Sequence, residues 1–249
     1  MIRKLNNIQE HAQGAIDDPI HERIEKVFLS YVSHRVRTPL NSIIGFSKIL
    51  SNSNNLDSSK KQEFIEMIME SGYELLHYFE NMLDASEMDV GRFLPNLREI
   101  DIAQVMTGIE GEYQDRGYSG KPVKVQFSCL NKDRHVKIST DEFILKRIVH
   151  NLIELMLENI ERGVINVFYS ADDDIIDIRI VGKSSYGSES VGVVLNDLFS
   201  KYYKDDLDYL SVKVVKQMIN ILKGKFYVQN DFNNEVSLNI VIPNRQEAD

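Results

Sequence analysis

His34 lies in the run Ser33-His34-Arg35-Val36-Arg37-Thr38-Pro39-Leu40. A neutral imidazole nitrogen can attack an activated phosphoryl group, and an exposed histidine is close to neutral at cytoplasmic pH. On an ideal helix Ser30, Arg37, Thr38 and Asn41 are its neighbours, because side chains three, four and seven residues apart share a face. Gly45 and Lys48 extend this polar stripe along an otherwise apolar helix. A histidine on such a stripe is usually a plain surface residue, and position alone favours that reading. His11, His21, His77, His135 and His150 have no comparable setting.

The element that positions His34 is a helix expected over residues 20–51, with Ile20, Ile24, Val27, Phe28, Tyr31, Leu40, Ile43, Ile44 and Leu50 at helical spacing. Pro39 falls inside it and is expected to kink it, since proline removes one helix hydrogen bond and crowds the preceding turn. Residues 51–55, Ser-Asn-Ser-Asn-Asn, read as a turn. Ser59 with Gln62 offers a capping box for a second helix running to about Met88. Two long helices with broad apolar faces cannot bury themselves alone, and pairing of two copies into a four-helix bundle would cover them.

After Gly91 the period changes. Residues 123–127, 135–138, 164–169, 175–181, 225–230 and 235–242 read as strands, with Ile176, Ile178 and Ile180 alternating with Asp177 and Arg179. Ser139 with Glu142 suggests a capping box opening a helix through Ile144, Leu145, Ile148, Leu152, Leu155 and Met156. Further helices are expected near 189–200 and 209–223. The expected class is therefore α+β: a helical hairpin, then a mixed sheet with helices packed on it. The expected division is an N-terminal segment 1–19, a helical domain 20–92 and an α/β domain 93–249.

Composition narrows the partners. The chain has 249 residues, 43% of them hydrophobic, enough to bury a core. A net charge of −9 argues against nucleic acid, whose phosphates demand a basic footprint. No apolar run reaches bilayer length, and the first residues show no signal-peptide core. The single cysteine, Cys129, excludes an internal disulfide and thiolate-rich metal sites. These features point to a soluble cytoplasmic protein.

Residues 32–50 resemble the dimerisation and phosphoacceptor domain of the histidine kinases of two-component systems, whose pattern is S-H-E-L-R-T-P-L followed by an apolar run with G-F. The end of the second helix, Met82-Leu83-Asp84-Ala85-Ser86-Glu87-Met88-Asp89-Val90-Gly91, resembles the family's L-L-D-x-S-x-I-E-x-G. The resemblance implies that His34 is the phosphoacceptor and that Thr38 stands where phosphatase-competent kinases orient an attacking water. Arg35 is a departure. The family places an acidic residue there as general base, and a guanidinium cannot accept a proton near neutral pH. Arg35 is expected instead to contact a phosphoryl oxygen or an acidic receiver, or simply to be a solvated arginine. Ser30, Arg37, Asn41, Gly45 and Lys48 are the expected partner-binding positions.

Residues from about 97 to Pro243 resemble the kinases' ATPase domain, mainly in the order of helices and strands. The family's N-L-x-x-N-A aligns with Asn151-Leu152-Ile153-Glu154-Leu155-Met156, so the magnesium-binding asparagine is Leu155, and an apolar side chain cannot ligate a hard cation. In V-x-D-x-G-x-G the adenine-reading aspartate becomes Ile180, and only Gly182 survives. The stretch 198–203 looks like the F-box. The phosphate lid G-x-G-L-G-L falls on residues 207–212, which contain no glycine, whereas backbone approach to phosphate favours glycine. The final G-x-G-T reads Asn233-Asn234-Glu235-Val236-Ser237. The expectation is an ATPase-like sandwich without ATP or magnesium. His34 would then exchange a phosphoryl group with a response-regulator receiver domain, in a homodimer and without ATP-dependent autophosphorylation. The alternatives are a non-catalytic pseudokinase regulator and a divergent sensor kinase.

Overall fold

The computed structural model of the protein describes residues 19–52, 56–89, 93–116, 122–131, 136–184, 210–231 and 235–244; among these, the side chains of 19–34, 115–116, 184 and 230–231 lie outside the description. Two long helices come first, α1 (Pro19–Asn52) and α2 (Ser58–Asp89). They form an antiparallel hairpin, and Phe46 and Phe64 stack across it at 5.6 Å. Pro39 is buried inside α1, which continues through it. The proline ring removes the donor that would serve the Arg35 carbonyl one turn earlier.

The start of α2 differs from the expected capping box. Asp57 is the cap, its Oδ1 accepting from the Lys60 amide at 2.7 Å. Ser59 lies inside the helix, and Gln62 bonds Glu66 instead. A carboxylate two residues earlier satisfies an orphan amide of the first turn, so the serine is not needed.

The remaining elements are β1 (Arg98–Asp101), α3 (Ile102–Arg116), β2 (Val123–Cys129), β3 (Lys137–Thr140), α4 (Glu142–Asn159), β4 (Gly163–Ala171), β5 (Ile175–Ser184), α5 (Leu210–Ile221), β6 (Lys225–Asp231) and β7 (Glu235–Pro243). Five strands form a mixed sheet in the order β2-β4-β5-β7-β6, with β2 and β4 parallel and the other pairs antiparallel; β1 and β3 pair separately. The parallel pair needs a crossover, and α4 lies in it. Strand β1 and helix α3 were not foreseen. The expected helix near 189–200 lies outside the described residues.

Alternation decides which face of the sheet is covered. Ile165, Val167 and Tyr169 of β4, Ile176, Ile178 and Ile180 of β5, and Val236, Leu238, Ile240 and Ile242 of β7 are buried. With Met106 and Ile109 of α3, Ile148 and Leu152 of α4, and Val215 and Met218 of α5 they make one core. Lys124, Gln126, Arg179, Lys183 and Tyr227 point to the other, open side.

Helix α4 is capped by Asp141, not by the expected Ser139, which belongs to β3. Asp141 Oδ1 accepts from the Ile144 amide at 3.0 Å, and its Oδ2 accepts from the Asn96 amide at 2.6 Å. One buried carboxylate thus caps the helix and ties down the segment arriving from α2. Asp141→Ala is expected to lower the melting stability by about 2 kcal/mol, the sum of a lost cap and a lost charge-assisted bond; Ser139→Ala is expected to cost far less. Chemical denaturation followed by circular dichroism checks both.

Candidate functional site: a histidine helix face and its joint to the sheet

Helix α1 carries the candidate phosphoacceptor. His34 and Ser30 lie on this helix, and their side chains are outside the described residues. The rest of the expected stripe is described, and Arg37, Thr38, Asn41, Gly45 and Lys48 are all exposed. Thr38, Asn41, Gly45 and Lys48 follow His34 at helical spacing, so they share its face of α1. The Ser42 hydroxyl donates to the Thr38 carbonyl at 3.3 Å. Nothing lies within 4 Å of where a Cβ would stand on Gly45, so no packing within the chain requires a glycine there.

Arg35 belongs to a different surface. It is half-buried, and its charge acts on Glu74 and Tyr78 of α2. Burial pushes the Glu74 carboxyl above its ordinary range; Arg35 opposes the rise and Glu70 adds to it. Burial likewise pushes the Tyr78 hydroxyl up, against the pull of Arg35. Arg35 is thus partly buried against the hairpin.

Apolar side chains are exposed along the same hairpin. Leu40 and Ile44 of α1 and Ile65, Met69, Leu76, Phe79 and Leu83 of α2 face outward, Leu83 at 61% exposure. An apolar patch of this extent on two adjacent helices marks an interaction surface.

The strongest polar cluster was not visible in the sequence reading. Arg147 of α4 reaches out of the sheet layer to α2. Its Nε donates to Asp84 Oδ2 at 2.7 Å, its Nη1 to Glu80 Oε2 at 2.6 Å, and its Nη2 to Asn81 Oδ1 at 3.1 Å. Nη2 also lies 2.6 Å from Asp84 Oδ2. Arg147 and Asp84 side chains are each only 9% exposed, so this is a buried pair, with Glu80 half open at its rim. Burial pushes the Asp84 carboxyl up; the charge and hydrogen bond of Arg147 pull it down, and Glu80 and Glu87 push it up again. Asn81, oriented by Arg147, turns its amide nitrogen toward His77 Nε2 at 3.1 Å and the Ser211 hydroxyl of α5 at 3.3 Å. Farther along α2, Lys213 and Gln217 of α5 donate to the two oxygens of Asp89 at 2.7 and 3.2 Å. The bond from Lys213 holds the Asp89 carboxyl below its usual range. A signal for Arg147 existed: Glu142, Lys146, His150, Glu154 and Glu158 mark the polar stripe of α4 at helical spacing, and Arg147 lies off it.

The positions that the family resemblance assigns to a nucleotide and its magnesium carry, where described, buried apolar side chains and a buried asparagine. Leu155 and Ile180 are buried in the apolar core. Asn151 is fully buried; its amide donates to the Arg147 carbonyl at 2.9 Å, and its Oδ1 has no partner among the described residues. Inward-facing positions of β5 run Ile176, Ile178, Ile180, Gly182, and none carries a carboxylate. A Cβ on Gly182 would stand 2.5 Å from Ile160 Cδ1 and 3.0 Å from Met156 Sδ, so apolar side chains fill the space in front of it. Leu210–Val212, the second half of the expected lid, opens α5, with Val212 buried. Val236, in the expected last nucleotide motif, is buried in β7. Residues 207–209, 233–234 and the F-box stretch 198–203 lie outside the described residues. No group of three or more metal-ligating side chains occurs among the described residues. No helix among them is long and apolar enough to cross a membrane.

Known proteins agree with this architecture. A family model of the His Kinase A (phospho-acceptor) domain matches residues 25–91. The chain is 25% identical over 240 residues to the autoinducer 2 sensor kinase/phosphatase LuxQ of Vibrio parahaemolyticus, covering 87% of this chain and 26% of that protein. It is 24% identical to the sensor protein EvgS of Escherichia coli, covering 87% of this chain and 18% of that protein. The chain therefore spans about a quarter or less of the length of these curated relatives. Among solved structures it resembles the Acinetobacter baumannii histidine kinase AdeS, with a TM-score of 0.57 at 16% identity, over 86% of this chain and 98% of that one. It also resembles histidine kinase ThkA, solved in complex with the response regulator protein TrrA, with a TM-score of 0.55 at 17% identity, over 90% of this chain and 64% of that one. Residues 25–91 match the phospho-acceptor domain of histidine kinases, the hairpin and the sheet layer have the fold of histidine kinases, and the chain is thus histidine kinase-like, of the two-component type.

Proposed function

We propose that the chain, with a phosphoacceptor unit over 20–92 and an ATPase-like unit over 93–249, exchanges phosphoryl groups between His34 and the receiver domain of a response regulator, without ATP of its own. The exposed face of Thr38, Asn41, Gly45 and Lys48, running along α1 from His34, carries this reading. A neutral His34 nitrogen attacks the phosphorus of a receiver acyl phosphate. A nitrogen–phosphorus bond forms, the bond to the receiver's carboxylate oxygen breaks, and that carboxylate leaves with the electron pair. The reverse step returns the group. The receiver supplies its own magnesium site, so the apolar positions 155 and 180 do not matter to the transfer. Thr38 stands one turn from His34, where it can orient a water for hydrolysis, and Arg35 is a neighbouring charge held by Glu74 and Tyr78.

That the solved relative ThkA was captured with a response regulator supports a receiver as the partner. The exposed apolar residues Leu76, Phe79 and Leu83 support a homodimer through the hairpin. A second reading, an active sensor kinase, is favoured by the relatives that are sensor kinases; against it stand Arg35 in the base position and the apolar groups at 155 and 180.

Incubating the protein with labelled phosphorylated receiver domains from the same organism is expected to move label onto it, and His34→Ala is expected to abolish that. Labelled ATP with magnesium is expected to give none, and strong labelling by ATP would establish the kinase reading instead. Gly45→Leu is expected to keep the fold and to weaken receiver binding at least about tenfold, because a branched side chain would stand in an open docking face; titration calorimetry checks it. Leu76→Glu with Leu83→Glu is expected to convert a dimer to a monomer in sedimentation velocity, and an unchanged sedimentation coefficient would argue against pairing through this face.

A further inference from the structure

The joint between α2 and the sheet layer has the properties of a latch. Arg147 is rooted in α4 beside Ile144, Leu145 and Ile148, all fully buried. Its backbone cannot shift without moving the core. Its planar head meets two carboxylates and an amide through all three guanidinium nitrogens, an arrangement that fixes direction as well as distance. The grip of Lys213 and Gln217 on Asp89 comes from another helix, α5. Glu80 and Asp89 lie about 13 Å apart along α2 at ordinary helical rise. Two grips at different heights, from two helices of one layer, resist both sliding and rotation.

We propose that Arg147 is the key of an interdomain latch that holds the sheet layer in one orientation on the phosphoacceptor hairpin. The inference stands on the joint alone and is independent of the chemistry assigned to His34. A layer that carried ATP to His34 would have to leave this seat and travel along the hairpin. A latched layer stays as a fixed wall beside the lower half of α2, and the surface offered to a partner is constant. The two grips are not equal. Lys213 and Asp89 are each about half exposed, and such pairs hold weakly. Arg147 and Asp84 are buried, and removing one leaves the other charge without its partner.

The test uses the whole chain, with amide hydrogen exchange of residues 80–89 and small-angle scattering, alongside thermal melting to establish folding. Arg147→Ala is expected to melt cooperatively, to speed exchange in 80–89 at least about tenfold and to increase the maximum dimension. Glu80→Gln with Asp84→Asn removes the same contact from the other side and is expected to do the same; it decides the matter should Arg147→Ala not fold. Lys213→Ala is expected to resemble the wild type. If a folded Arg147 or Glu80/Asp84 variant shows wild-type exchange and dimensions, the latch is refuted. If Lys213→Ala opens the joint as far as Arg147→Ala does, Arg147 is not its key.

Discussion

One buried guanidinium governs how the two parts of this chain meet. Arg147 is held by the core of the sheet layer and satisfied by the hairpin. A buried charge is tolerable only where its partners are present and aimed. The end of α2 therefore has to supply a carboxylate at 84, a second at 80 and an amide at 81, and α4 has to lie alongside them. Asp141 adds a second restraint, because the carboxylate that caps α4 also holds the Asn96 amide. The path from α2 to the sheet is thus pinned at both ends by polar groups, and Ala85 and Met88 of α2 add apolar packing against the core of the sheet layer.

The hairpin separates its tasks by face. Phe46 and Phe64 close the two helices on each other. A second face, with Leu76 and Leu83, is apolar and open, and the third is the polar stripe that continues from His34. Helical spacing makes this partition possible, since residues a turn apart stay on one side however long the helix is. Arg35, next to His34 in sequence, is partly buried, and its charge acts on Glu74 and Tyr78 of α2.

Much of this was legible in the sequence because burial on one face leaves a period. Strands β4, β5 and β7 show clean alternation, and each was found within a few residues of its ends. Strand β1 has four residues and a distant partner in β3, so it carries almost no local signal. Helix α3 contains Gly108 and Gly111, each costing about 1 kcal/mol of helix propensity, and its stability comes from Ile102, Met106 and Ile109 packing into the core. Both capping boxes were misplaced for one reason: an aspartate near the serine, Asp57 or Asp141, is an equally good cap, and local sequence does not say which the backbone will use. The polar stripe was readable from spacing. The Arg147 joint was not, because its partners lie more than sixty positions away in the chain.

The packing behind β5 decides which side chains its inward-facing positions can accept. An aspartate at 180 would bury a carboxylate among Ile176 and Ile178, at a cost no neighbouring charge offsets. An aspartate at 182 would bring its Cβ into Ile160 and Met156. To readmit a carboxylate, both of those side chains would have to shrink together with the change itself, and each step alone opens a cavity or a clash. The core thus holds these positions to apolar or small side chains, and a single substitution is not enough to change that.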